Sequence, residues 1–153
     1  MKLTNILQVL MVVAVTLVLV GCAAPRFSPV ATIPKDKALV YIYRNAALGG
    51  IAGNHHIFVN GQPVASLYSG SYYPYYATPG TNSFSSRMIS PAGTMDAIIN
   101  AISRGELCRL DVEAGHIYYI QFKIATTLGP KIVQVDADKG AKDIKKCRLA
   151  NPL

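Results

Sequence analysis

Between Ala38 and Val135, two-residue turn words cut the chain into short runs of β-branched and aromatic residues, a pattern that few folds other than an antiparallel β one accept. Asn60-Gly61 is the sharpest of these words, because both central residues of a type I′ turn need positive φ. Ser69-Gly70, Pro79-Gly80 and Ala114-Gly115 repeat the signal. The runs between them predict strands over Ala38–Arg44, His56–Val59, Pro63–Tyr68, Tyr72–Ala77, Asn82–Ile89, Cys108–Glu113, His116–Ile124 and Lys131–Val135. Pro74 inside one of them points to an edge or a bulge, since proline cannot donate to a ladder. Asn45 to Asn54, with Gly49, Gly50 and Gly53, reads as a loop.

Two stretches break the β texture. After Thr94, a helix cap, the apolar residues Met95, Ile98, Ile99 and Ile102 follow i, i+3, i+4, i+7 spacing and predict a short inserted helix. Asp138 to Arg148 predicts a terminal helix that carries Cys147. The expected class is therefore mainly β: an antiparallel sandwich of about seven or eight strands with one inserted and one C-terminal helix.

The N-terminus has a different character. Lys2 precedes an apolar run from Ile6 to Val20, interrupted by Gln8 and Thr16, and much of the 51% hydrophobic content lies in this stretch. The run falls short of the roughly 20 residues that span a bilayer comfortably, and it fits a cleavable export signal over residues 1–21. Leu19-Val20-Gly21-Cys22 resembles the bacterial lipobox. That resemblance implies a diacylglycerol on the Cys22 thiol, cleavage before Cys22, and an acyl chain such as palmitate on the new amine. Several acyl chains give stable membrane anchoring where one does not. Ala23 rather than Asp after the cysteine is similar to lipoproteins released to the outer membrane, which puts the domain in the periplasm. Residues 22–37, with Pro25, Pro29 and Pro34, read as an extended tether that holds a domain over residues 38–153 about 40 Å from the lipid.

The formal net charge of +7, one less without Lys2, favours anionic neighbours. Export argues against nucleic acid as a partner. Lipidation of Cys22 leaves Cys108 and Cys147, which an oxidising periplasm tends to pair as a disulfide. Two buried thiols are the alternative, and zinc ranks below both because neither cysteine has a second ligand at chelating spacing.

The ordered set of motifs resembles a known family. It comprises Val40-Tyr41-Ile42-Tyr43-Arg44, Val59-Asn60-Gly61 with Val64 and Leu67, Gly70-Ser71-Tyr72, Pro79-Gly80, Glu113-Ala114-Gly115 with Tyr118-Tyr119, and a lysine-rich C-terminal segment. Over most of residues 38–148 this is similar to the bacterial lipoprotein family catalogued as domain of unknown function 2846. Ser90–Glu106 is longer than the family's usual connection. The resemblance implies an envelope lipoprotein with a small β domain and assigns no activity. At the level of fold, the turns also resemble PEGA-like and transthyretin-like sandwiches.

Residues with chemical potential are few, and no catalytic, cofactor-binding or metal site is expected. His55 and His56 are adjacent and so point to opposite faces of a strand, which makes a poor chelate. No Gly-x-Ser-x-Gly elbow occurs. Tyr72, Tyr73, Tyr75 and Tyr76 are candidates for a stacking or protein-binding surface, although alternate tyrosines filling a core is the preferred reading. Arg44 ends the first strand and either recognises an anion or pairs with a carboxylate of the domain. Ile98 and Ile102 either close the core or meet a partner protein or the membrane. The expected function is a non-enzymatic binding or structural module of the envelope, lipid-anchored to the outer membrane, with an envelope protein as a candidate partner. The alternatives are an accessory lipoprotein of a larger envelope or secretion assembly and, ranked below it, a wall or lipid hydrolase.

Overall fold

The computed structural model describes residues 26–46, 53–89, 107–125 and 129–153. The strands are β1 (Ala38–Arg44), β2 (Asn54–Val59), β3 (Gln62–Leu67), β4 (Ser71–Ala77), β5 (Gly80–Ile89), β6 (Cys108–Val112), β7 (Ile117–Ala125) and β8 (Gly129–Val135), followed by helix α1 (Ala137–Ile144) and the short strands β9 (Arg148–Leu149) and β10 (Asn151–Pro152). They form two sheets, in the orders β8-β7-β1-β4-β9 and β10-β3-β2-β5-β6. The pairing is antiparallel except for β1 with β7 and β4 with β9, so the molecule is a mainly β, sandwich-like fold.

Alternation along β1 explains the layering. Ala38, Val40 and Ile42 point between the sheets and meet Ile57, Val59, Leu67, Phe84, Leu110, Ile120, Phe122 and Ile132. Leu39, Tyr41 and Tyr43 point the other way, yet they are buried too. A strand buried on both faces needs a cover on each side. Here α1 and the N-terminal segment supply the second cover, with Ile144, Cys147, Phe27, Val30 and Ile33 packed on the outer face of the first sheet. Asp136 caps α1 by accepting from the Lys139 N–H at 2.8 Å. The helix lies so close to β7 that a Cβ on Gly140 would sit 2.2 Å from Cγ of Tyr119.

The turn chemistry follows the sequence. Asn60 and Gly61 have φ of 51° and 80°, as the β2–β3 hairpin requires. Asn60 is also held by its side chain, whose Nδ2 donates to Asn82 Oδ1 at 3.0 Å while Oδ1 accepts from the Ser83 N–H at 2.9 Å. β9 covers only Ser71 and Tyr72 of β4, which leaves Pro74 on an open edge. The predicted terminal helix stops at Ile144, and Cys147 lies beyond it. The chain then laces the two sheets together, pairing with β4 through β9 and with β3 through β10, with Ala150 buried between. The inserted helix expected after Thr94 lies outside the described residues.

Candidate functional site: the docked N-terminal strap and the end where it emerges

Residues 26–37, read from the sequence as a tether, lie against the domain. Exposure along Arg26–Pro34 repeats every third residue: Phe27, Val30 and Ile33 are partly buried, and the residues between them are exposed. Three residues per turn is the period of an extended polyproline-type helix, so one side of such a segment is apolar. That side packs on the outer cluster of β1, β4, β7 and α1. Phe27 sits edge-on to Tyr41 at 5.4 Å and to Tyr72 at 5.1 Å between ring centroids. The strap's backbone is satisfied as well. Phe27 N–H donates to the Cys147 carbonyl at 3.0 Å, Val30 N–H to the Tyr41 hydroxyl at 2.9 Å, and Ser28 N–H to the Tyr72 hydroxyl at 3.4 Å. An extended segment has no internal hydrogen bonds, so partners of this kind are what fix it in place.

The strap runs the length of the sandwich. Its C-terminal part reaches the Ala38 end, where the Gly115 N–H donates to the Lys37 carbonyl at 2.8 Å and Lys37 Nζ reaches Thr78 Oγ1 at 3.1 Å. Its N-terminal part reaches the opposite, Arg44 end, where Arg26 bridges Arg148, Arg148 pairs with Ser71, and Ser71 pairs with Arg44. Asn54, Ile89, Ala125 and Gly129 belong to this same end.

Inside the Arg44 end, the Arg44 guanidinium is buried, 5.9 Å from the centroid of Phe122, and its Nη1 donates to the Gly53 carbonyl at 2.8 Å. Burial lowers its pKa. The buried His55 ring tilts over Phe122 at 4.7 Å. Arg44 and His55 thus close the end of the core around one aromatic ring. On the outer face, the Tyr43 hydroxyl donates to Asp143 Oδ2 at 3.3 Å, and burial, with the Asp143 charge beside it, raises the tyrosine pKa strongly. Asp143 titrates lower than an ordinary carboxylate, chiefly because Lys139 hydrogen-bonds it.

Several sequence expectations are corrected. Cys108 and Cys147 are not joined by a disulfide. Cys147 lies in the outer cluster, its Sγ 3.7 Å from the Arg44 carbonyl, whereas Cys108 sits on β6 of the other sheet beside the inter-sheet core. The first sheet stands between them, and a disulfide demands adjacent Cβ atoms. Burial pushes the Cys147 thiol pKa up to about 11, with Asp143 adding to the shift. For the tyrosine cluster the preferred reading, alternate tyrosines filling a core, fits Tyr72, Tyr73 and Tyr75, and the stacking-surface alternative does not form as one patch. Tyr72 is buried under Phe27, Tyr73 and Tyr75 pack against the inter-sheet core, and Tyr76 is exposed. Strand alternation splits them. His55 and His56 do face opposite ways, the first buried and the second half-buried. Cys22, Ile98 and Ile102 lie outside the described residues.

The sequence reading missed Phe27, Val30 and Ile33, although the signal was present as an apolar residue at every third position among prolines. Among the described residues, no group of three His, Cys, Asp or Glu side chains is placed to hold a metal ion. No helix among them is long and apolar enough to cross a membrane. Compared with known proteins, residues 34–137 match the family described as Protein of unknown function (DUF2846). No curated protein matches the chain.

Proposed function

We propose that this chain, which belongs to the DUF2846 family, is an envelope lipoprotein. In this reading residues 1–21 are removed, Cys22 is acylated, and the β-sandwich serves as a non-enzymatic binding or structural module on the outer membrane. The observation that carries the reading is the docked strap. Arg26, the first described residue, bridges Arg148, and the lipobox-like Leu19-Val20-Gly21-Cys22 ends four residues before it in the sequence. An export peptidase needs its cleavage site outside the folded core, and in the sequence Cys22 lies on the N-terminal side of the docked strap. Acylation adds about 0.8 kcal/mol of membrane affinity per buried CH₂, so several chains hold the protein without a spanning helix. The strap then supplies a rigid coupling, because Phe27 is gripped by Tyr41, Tyr72 and the Cys147 carbonyl.

The direct test is Cys22→Ser in the full chain, followed by cell fractionation and gel mobility. The reading expects an unprocessed precursor that takes up no labelled palmitate. A variant that is still cleaved after Gly21 and still retained in the outer membrane would contradict it.

A further inference from the structure

Among the described residues, the exposed charged side chains at the Arg44 end are all basic. Arg26, Lys123, Lys131, Lys145, Lys146 and Arg148 are all exposed there. Their positions follow from the pairings. Arg26 bridges Arg148, Lys123 lies directly opposite Lys131 across β7 and β8, and Lys145 and Lys146 follow the last turn of α1, beside the Cys147 that contacts the Arg44 carbonyl. Asp143 is the carboxylate nearest to this group in the chain, and Lys139 and Tyr43 already engage it. The other exposed carboxylates of the described residues lie elsewhere: Asp36, Asp111 and Glu113 toward the Ala38 end, and Asp136 and Asp138 at the start of α1. Like charges directly opposite one another on a sheet destabilise it. Lys123 opposite Lys131 is such a pair. An arrangement that costs stability in the isolated domain is relieved by an anionic surface.

Chain length points to which surface. From Cys22 to Arg26 there are four peptide steps. At full extension they reach at most about 14 Å. An acyl group on Cys22 therefore keeps the Arg44 end at the membrane, in place of the roughly 40 Å stand-off of a free tether. We propose that the Arg44 end is a docking surface for anionic phospholipid headgroups. The short run from Cys22 presses it against the bilayer, and the Ala38 end, with its Asn60-Gly61 hairpin, points away from the membrane. This rests on the acylation of Cys22 proposed above. β1 alone separates the two ends by roughly 20 Å, about two Debye lengths at ordinary salt, so the far end lies outside the surface potential.

The experiment uses the mature, detergent-purified protein reconstituted into vesicles of phosphatidylcholine alone or enriched in phosphatidylglycerol. A water-soluble active ester then labels lysines, and mass spectrometry reads the rate at each. The expected result is that Lys123, Lys131, Lys145 and Lys146 react several-fold more slowly on phosphatidylglycerol vesicles only, while Lys35 and Lys37 do not change. Salt at about 1 M, which shortens the Debye length to about 3 Å, should restore their reactivity. The exposed-site variant Lys145→Gln/Lys146→Gln/Arg148→Gln should stay anchored and lose the protection of Lys123 and Lys131. Equal rates at the two ends, protection of Lys35 and Lys37 instead, or equal protection on neutral vesicles would each overturn the assignment. So would protection on neutral vesicles by a soluble acidic polysaccharide. Failure of the underlying reading looks different: the mature chain would then lack an acyl mass and would not float with either vesicle.

Discussion

Phe27→Ala tests whether the strap is part of the fold. Full burial of a phenylalanine sets a truncation cost of about 3–5 kcal/mol, and partial burial reduces this to about 2 kcal/mol. The edge-on contacts with Tyr41 and Tyr72 each contribute about 0.5 kcal/mol beyond area, giving about 3 kcal/mol in all. For a domain of this size that corresponds to a fall in Tm of about 10 °C. Thermal unfolding of the purified mature protein, followed by circular dichroism, reads it directly. Ser28→Ala is the matched control, because Ser28 is exposed and its contact with Tyr72 comes from the backbone N–H. Loss of the strap should also speed tryptic cleavage after Lys35, since local release exposes that backbone. A Tm within about 2 °C of the parent, with unchanged cleavage, would refute the docked strap and restore the free-tether reading.

Gly140→Ala should be strongly destabilising, by about 2–4 kcal/mol in urea unfolding, because its Cβ would collide with the Tyr119 ring where α1 meets β7. The helix-propensity gain from alanine is smaller, about 1 kcal/mol, so an unchanged or higher midpoint would contradict the close packing. The native protein should show no reaction of Cys147 with a thiol reagent at pH 8, as the thiol is buried and titrates near 11, whereas unreduced, denatured protein should yield both Cys108 and Cys147 as reactive thiols. Acid stability should depend on Asp143. Its folded-state pKa lies below the unfolded value, so its contribution is present above about pH 4 and is lost as pH falls through the folded pKa, and Asp143→Asn should flatten that limb of a stability-versus-pH curve. Tyr43 works in the opposite sense. Its raised pKa gives a contribution that is complete below about pH 10 and is lost as pH rises through the folded value, so Tyr43→Phe should resist alkaline unfolding better than the parent.

The strands were legible because their signals are local. Alternation in Ala38–Arg44 and the positive-φ demand of Asn60-Gly61 act over a few residues, and the structure places strand and turn there. What could not be read was which elements share a face. Alternate tyrosines filling a core is the preferred sequence reading of Tyr72, Tyr73, Tyr75 and Tyr76, but the sequence does not show that alternation sends them to two different cores and to solvent. Parallel pairing of β1 with β7 joins residues far apart in the chain, and no short-range pattern encodes it. The cysteine pairing failed for the same reason. An even count and an oxidising compartment favour a bond, but the layer order puts a sheet between the sulfurs. The strap was misread because proline usually marks a linker, and the threefold apolar period of Phe27, Val30 and Ile33 is weaker than a helical or strand stripe. The candidate surface was the least legible. Its six basic residues come from the strap, β7, β8, the end of α1 and β9, and only the fold assembles them.

The central claim is that Cys22 is the acylated first residue of a chain whose strap fixes the sandwich to the membrane. The most direct measurement is the intact mass of the protein purified from its native membrane, with the N-terminal proteolytic peptide sequenced by tandem mass spectrometry. The account predicts a chain that begins at Cys22 and carries a diacylglyceryl thioether and an amide-linked acyl group. An N-terminal peptide that retains Met1, or one that starts beyond Cys22 without acylation, would contradict it.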